Sequence, residues 1–135
     1  MSGKLIGGCL CGAARFEISG EFGGFFLCHC SRCRKDTGSA HAANLFSSTA
    51  TITWLAGGES VKTYGVPGTR HMRSFCAECG SALPSLQMNE TVLVVPAGSV
   101  DSDIEMRPTA HICFASRANW DDHLEEIPRF DGLPG

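Results

Sequence analysis

Seven of the eight cysteines fall into three short clusters, and this spacing constrains the fold more than any other feature. The clusters are a Cys-x-Cys pair at Cys9 and Cys11, a Cys-x-Cys-x2-Cys trio within residues 28–33, and a Cys-x2-Cys pair at Cys76 and Cys79. Cysteines this close together are seldom a disulfide framework, whereas thiolates at these spacings are typical zinc ligands. The sequence therefore predicts a fold pinned by metal.

The residue that follows each cluster separates the two pairs from the trio. Gly12 follows the first pair and Gly80 follows the last, whereas Arg34 follows the trio. A glycine at this position permits positive φ, so that backbone N–H groups can turn back toward the sulfurs. The two pairs are therefore predicted to form one closed four-thiolate site, which leaves the trio with no pair to complete it.

The division into four and three ligands predicts two different roles. A closed site of four thiolates holds zinc inertly, while a site with three thiolates keeps a position for a labile water or a substrate. We therefore expect a structural zinc at the pairs and a catalytic zinc at Cys28, Cys30 and Cys33. A structural knuckle that takes its fourth ligand from elsewhere remains the alternative for the trio, and the spacing matches none of the usual ferredoxin runs.

Composition limits the remaining classes. With 135 residues, 43% of them hydrophobic and 19% charged, the chain is expected to form one domain over residues 1–135 of a soluble globular type. A net charge of -3 gives no overall attraction for phosphate backbones, so nucleic acid is not expected as a partner. No segment approaches the ~20 apolar residues of a membrane span, and free thiols without an export signal predict a cytoplasmic location.

Residue patterns predict a mainly β fold. Apolar and polar residues alternate over 13–18, and Ser31–Thr37 is expected to form one or two helical turns that end at Gly38. Short strands are also expected over residues 40–46, 49–55, 59–64, 70–75, 81–86, 91–95 and 109–115, with an irregular tail over 120–135. We predict two small antiparallel sheets or a half-open barrel, held together by zinc.

Three motifs carry a family resemblance over most of the chain. They read Gly8-Cys9-Leu10-Cys11-Gly12, Cys28-His29-Cys30-Ser31-Arg32-Cys33-Arg34-Lys35 and Phe75-Cys76-Ala77-Glu78-Cys79-Gly80-Ser81, and a C-terminal pattern follows from His111 to Trp120. Together they resemble the glutathione-dependent formaldehyde-activating enzyme family, also called CENP-V-like. The resemblance implies a β-tent fold with two zinc ions. It implies structural zinc ligation by Cys9, Cys11, Cys76 and Cys79, and catalytic zinc ligation by Cys28, Cys30 and Cys33.

The chemistry that the resemblance implies is a carbon-sulfur lyase or synthase reaction, in which glutathione and formaldehyde combine to S-hydroxymethylglutathione. Glutathione is then the expected co-substrate, since a thiol at an open zinc position loses its proton and becomes a nucleophile. Three thiolates on Zn²⁺ already carry a net negative charge, so neighbouring cations should help. Arg32, Arg34 and Lys35 are candidates for this role and for binding substrate carboxylates, and a solvated turn is the alternative.

Several other residues have expected positions without a role in this chemistry. His29 lies between two ligands and is expected to be exposed or hydrogen-bonded to backbone. Cys113 is expected to be buried in an apolar strand, with His111 on the same face as its one possible partner. No role is assigned to the remaining histidines, which are His41, His71 and His123.

Two further functions remain open at this point. One is a non-enzymatic zinc module of the CENP-V kind that binds a protein or chromatin partner. The other is an enzyme like methionine sulfoxide reductase, which would use Cys113 as its nucleophile and draw its zinc ligands from Cys30, Cys33, Cys76 and Cys79.

Overall fold

The computed structural model describes residues 3–135 as short strands around a single short helix. The strands are β1 (Gly3–Gly8), β2 (Arg15–Gly20), β3 (Gly24–Cys28), β4 (Ala42–Ser47), β5 (Thr51–Ala56), β6 (Val61–Gly65), β7 (Met72–Cys76), β8 (Ala82–Leu83), β9 (Ser85–Gln87), β10 (Val92–Pro96) and β11 (Ala110–Ile112). The helix, α1, spans Ser31–Thr37, and short 3-10 turns occur at 58–60, 97–99, 114–116 and 124–126. The mainly β prediction is confirmed.

The described strands form three sheets, one more than the sequence predicted. The first has the order β1-β2-β5, the second β11-β3-β4-β10-β9, and the third β6-β7-β8. All neighbours are antiparallel except β11 and β3, which pair in parallel. The additional sheet arises because β6, β7 and β8 pair only with one another, so the hairpin that carries Cys76 and Cys79 lies on a sheet of its own.

The core forms where the first two sheets pack together. Phe16 and Ile18 alternate along β2 and are fully buried, and Leu45 on β4 and Val95 on β10 are almost completely buried in the same cluster. Each such side chain contributes roughly 1.5–3 kcal/mol when it leaves water. The period-two pattern that predicted β2 therefore describes the burial that stabilises this strand.

The first strand was not predicted, because glycines obscure its pattern. β1 reads Gly-Lys-Leu-Ile-Gly-Gly; Leu5 and Gly7 are buried in it, so Leu5 is its one buried side chain. Gly7 is required here, since a Cβ at this position would overlap the Phe16 ring and the carbonyl oxygen of Ser99. Because glycine takes the place of an apolar side chain next to the Phe16 ring, the strand lacks the alternating apolar residues from which strands are predicted.

The helix begins and ends where the sequence predicted. Cys30 is the N-cap residue, and its sulfur accepts a hydrogen bond from the Cys33 backbone N–H. Gly38 ends the helix in the left-handed conformation, with a φ of 66°. Such a glycine is a common C-terminal stop because it has no Cβ. The helix therefore starts within the trio and carries the positive residues that follow it.

The strand expected over 109–115 is shorter than predicted. β11 covers Ala110–Ile112, and Cys113 follows it with a φ of 53°. Cys113 is exposed, so the prediction that it is a buried core residue is wrong. The chain leaves the sheet at this point because the next three residues form a 3-10 turn.

Within residues 3–135, the single α-helix has seven residues, and no helix there has the length and apolar character that a membrane span requires.

Candidate metal centres and substrate cavity

The two cysteine pairs converge on one point between two hairpins. Cys9 and Cys11 lie in the turn between β1 and β2, while Cys76 ends β7 and Cys79 lies in the turn to β8. Their four sulfurs lie within 4.8 Å of one another. The glycines that follow the two pairs in the sequence adopt the predicted positive φ, 84° at Gly12 and 79° at Gly80.

The spacing of these sulfurs fits a tetrahedral ion. The Sγ atoms of Cys9 and Cys11 lie 3.6 Å apart, and those of Cys11 and Cys76 lie 3.9 Å apart. With zinc–sulfur bonds of about 2.3 Å, tetrahedral geometry separates the sulfurs by about 3.8 Å. The four residues that the sequence predicted as one closed site thus form a donor set that could hold zinc.

Backbone and hydroxyl groups surround the four-sulfur cluster. The N–H of Ala14 donates to the Cys9 sulfur at 3.2 Å, and the Ser81 hydroxyl lies 3.3 Å from the Cys79 sulfur. Hydrogen bonds from the side chain and backbone of Ser81 lower the pKa of Cys79 to about 5. Cys79 is therefore held as a thiolate, the form in which cysteine binds metals.

The trio forms a second, smaller cluster at the start of α1. The sulfurs of Cys28, Cys30 and Cys33 lie within 4.8 Å of one another, and no fourth His, Cys, Asp or Glu of residues 3–135 joins the group. Burial raises the pKa of Cys28 and of Cys33. Both thiolates consequently need a positive charge beside them. This donor set suits one soft or borderline cation with a coordination position left for another ligand.

The predicted cations of the trio motif do not share one environment. Arg34 and Lys35 line a cavity of about 300 Å³ together with Trp120, whereas Arg32 is exposed and lies outside it. The Nε of Arg34 is buried and has no hydrogen-bond partner among the described residues. The two positively charged residues in the cavity lining, Arg34 and Lys35, favour an anionic ligand there.

One cluster of side chains connects the helix of the trio to the hairpin of the four-sulfur cluster. Asp36 on α1 accepts a hydrogen bond from His71 at 2.6 Å. Arg73 donates both to the backbone oxygen of Asp36 and to that of Gly80, the latter at 2.8 Å. His71, which had no assigned role, therefore helps to fix the two cysteine-bearing segments relative to each other.

The structure corrects the expectation for His29. Its side chain is completely buried, and its Nε2 lies 2.8 Å from Nδ1 of His111. Its backbone N–H donates to the carbonyl of Ile112, as one half of the prediction allowed. The ring is buried because it packs against the rings of His41, His111 and Phe114. Burial lowers the pKa of His29, so its imidazole is neutral near pH 7.

The structure does not bring together the residues of the reductase alternative. Cys30 and Cys33 belong to the trio, whereas Cys76 and Cys79 belong to the other cluster. His111 contacts His29 and not Cys113. The zinc site that a methionine sulfoxide reductase-like enzyme would need is therefore absent from this arrangement of the described residues.

The fold and the two sulfur clusters define a class of small β proteins with cysteine clusters that could hold metal ions. A family model described as glutathione-dependent formaldehyde-activating enzyme matches residues 4–116, and the chain belongs to this family. It is 34% identical over 126 residues to a Halomonas elongata protein that has been given, provisionally, the name glutathione-dependent formaldehyde-activating enzyme. The match covers 86% of this chain and 78% of the relative.

A solved structure supports the fold. The chain matches a crystal structure of a Rhodobacter sphaeroides protein with a TM-score of 0.57 at 21% identity, covering 78% of this chain and 98% of the other. At this level of identity, the similarity extends to the fold alone.

Proposed function

We propose that this protein is a zinc-dependent carbon-sulfur lyase and synthase that acts on thiol–aldehyde adducts, such as S-hydroxymethylglutathione. The observation that carries the proposal is a three-sulfur cluster, without a fourth protein ligand, at the start of the helix that also carries Arg34 and Lys35 into a cavity. Membership of the glutathione-dependent family supports a small thiol as the ligand. A protein that used zinc only to bind a partner would not require the open trio.

We assign structural zinc to Cys9, Cys11, Cys76 and Cys79, and catalytic zinc to Cys28, Cys30 and Cys33. A zinc ion held by the trio would act as a Lewis acid and would lower the pKa of a thiol bound to it. The trio itself contributes three sulfurs, which α1 and the end of β3 hold within 4.8 Å of one another. The N–H of Cys33 stabilises negative charge on the Cys30 sulfur, to which it donates at 3.4 Å.

The cationic cavity is assigned to the carboxylates of the thiol substrate. Glutathione carries two carboxylates, and the guanidinium of Arg34, a residue that lines the cavity, can donate to one of them. Lys35 lines the same cavity and adds a second positive charge. These two residues orient the thiol. Arg32 lies on the exposed side of the helix and acts only through its long-range Coulomb attraction for the anionic substrate.

The proposed reaction balances without an oxidant or reductant. In the synthetic direction, the thiol sulfur forms a bond to the carbonyl carbon, the thiol proton leaves, and the carbonyl oxygen gains a proton to become a hydroxyl. In the reverse direction, the carbon–sulfur bond breaks and the aldehyde is released. We further propose that residues 1–135 act as one domain in a reducing compartment such as the cytoplasm, because all eight cysteines are free thiols.

Glutathione binding at the trio can be tested by cobalt substitution. We expect the thiolate-to-cobalt charge-transfer absorption to increase when reduced glutathione is added, because its sulfur becomes a further ligand. An analogue with a methyl group in place of the thiol serves as the control and should leave the spectrum unchanged. If glutathione also leaves it unchanged, and the protein forms no S-hydroxymethylglutathione from glutathione and formaldehyde, the zinc module that binds a macromolecular partner is favoured.

Arg34→Ala is expected to raise the KM for glutathione by about 10- to 100-fold, since a charge-assisted hydrogen bond contributes roughly 1.5–3 kcal/mol. The matched control is Arg32→Ala, which removes the same charge from the exposed side of the same helix. Steady-state kinetics with glutathione as the varied substrate measures both effects. Equal changes in the two variants would show that the cavity has no specific role in substrate binding.

A further inference from the structure

A cluster of nitrogen and oxygen ligands lies beside the trio but on the opposite side of the strands. Cys28 pairs with Ala42 on β4 and with Ile112 on β11. His29, His41 and His111 each lie one position away from these three residues. Because side chains alternate between the faces of a sheet, the three imidazoles share the face opposite the Cys28 sulfur. The ring centroids of His29 and His41 lie 5.1 Å apart.

Asp121 completes this cluster from the C-terminal segment. One ligand atom each from His29, His41 and Asp121 lies within 4.8 Å of the others. The His29 side chain is fully buried, and that of Asp121 is 14% exposed. Two histidines and one carboxylate at this distance form a donor set that is independent of the sulfurs.

The polar atoms of this cluster lack the partners that buried groups normally have. Nδ1 of His29, Nδ1 of His41 and Oδ2 of Asp121 are all buried without a hydrogen-bond partner among the described residues. Native structures contain few such atoms, and three of them occur here in one group. Their position indicates a ligand that all three can share.

Nδ1 of His29 and Oδ2 of Asp121 are placed so that both can bind the same third atom. Nδ1 of His29 and Oδ2 of Asp121 lie 3.1 Å apart, yet they are not aligned as donor and acceptor. Nε2 of His29 is already within 2.8 Å of Nδ1 of His111. When Nε2 carries the proton and donates it to His111, the lone pair of Nδ1 is free. Metal-binding histidines commonly have their second nitrogen fixed by such a hydrogen bond.

We propose that His29, His41 and Asp121 form a third metal site, which binds a borderline divalent cation such as Zn²⁺. Imidazole and carboxylate are ligands that zinc and its neighbours in the first transition row accept, and three protein ligands leave a coordination position open. The site is separate from both cysteine clusters. Since His29 lies between Cys28 and Cys30, an ion bound to its ring also fixes the backbone that positions two sulfurs of the trio.

The alternative is a hydrogen-bonded array without metal, in which Nδ1 of His29 donates to Asp121. This arrangement leaves the buried Nδ1 of His41 without a partner and requires a hydrogen bond along a direction that the side chains do not provide. The two explanations differ in the number and the ligand type of the ions that the protein binds.

The test uses the full chain and Co²⁺ as the probe. Protein as purified is first analysed for its metal content, and the metals are then exchanged for Co²⁺. We expect one cobalt equivalent with ligand-field absorption but without thiolate charge-transfer absorption, in addition to the cysteine-bound ions. X-ray absorption should show that this ion has only nitrogen and oxygen neighbours. If every bound cobalt equivalent has sulfur neighbours, the proposal is wrong, whatever the behaviour of any variant.

Variants locate the additional ion. Asp121→Asn and His41→Gln should each bind one metal equivalent fewer than the wild type, while their thiolate absorption persists. Asp122→Asn is the matched control, because Asp122 is the next residue and its side chain is 62% exposed. Circular dichroism establishes that the variants are folded. A wild-type metal count in folded Asp121→Asn and His41→Gln would overturn the assignment.

Discussion

Cys79→Ser is expected to leave the chain unfolded or insoluble. The four-sulfur cluster joins segments that are far apart in sequence, since Cys11 and Cys76 are separated by 65 positions, and it connects hairpins of two different sheets. In small zinc domains, a structural ion contributes on the order of 10 kcal/mol to folding. This is comparable to the entire stability of an ordinary domain, roughly 5 to 15 kcal/mol. Soluble yield, circular dichroism and zinc content measure the outcome.

The position of Cys79 makes this substitution informative. Its side chain is only partly buried, and serine has almost the same shape, so the loss of packing alone would be small. Cys113→Ser is the matched control, because Cys113 is exposed and belongs to neither cluster. We expect this control to unfold at the wild-type temperature. A soluble Cys79→Ser protein with the same melting temperature would show that the four-sulfur cluster does not stabilise the fold.

The local features of the fold could be predicted from sequence because their causes are local. Alternation over residues 13–18 reflects the burial of Phe16 and Ile18, and Gly38 ends the helix through its own conformation. The parallel pairing of β11 with β3 had no such signal. It joins segments about 84 residues apart, where the Phe25 N–H donates to the Thr109 hydroxyl and the Thr109 N–H donates to the Phe25 carbonyl. Pairings of this kind depend on the assembled sheets.

The same distinction applies to the functional residues. The sulfur clusters were predictable because cysteines two or three positions apart must lie close together whatever the fold, and the division into four and three followed from their number. The cluster of His29, His41 and Asp121 was not predicted, since its members are distant in sequence. Only the register between β3 and β4 places the two histidines together. Spacing therefore predicted the thiol clusters, whereas the topology of the sheet brings the imidazoles together.

Cys33→Ser is expected to remain folded, to bind one zinc equivalent fewer, and to lose thiol–aldehyde activity by about a thousand-fold or more. The three sulfurs lie within residues 28–33, so an ion there closes only a short loop and constrains little of the chain. Helix α1 retains its N-cap at Cys30 and its stop at Gly38 in this variant. Kinetics of S-hydroxymethylglutathione formation, thermal unfolding and metal analysis together measure the three expectations.

The comparison with two other variants decides what the trio does. If Cys33→Ser unfolds the protein as completely as Cys79→Ser, the trio is a structural site and the catalytic assignment fails. Full activity in Cys33→Ser, with activity lost in Cys113→Ser, would instead identify Cys113 as the nucleophile. We expect neither result, because Cys113 is exposed and belongs to neither sulfur cluster, while Cys33 is buried in the trio, on the helix that also carries Arg34 and Lys35. The trio alone combines an open set of thiolates with nearby positive charge, and a thiol substrate requires both.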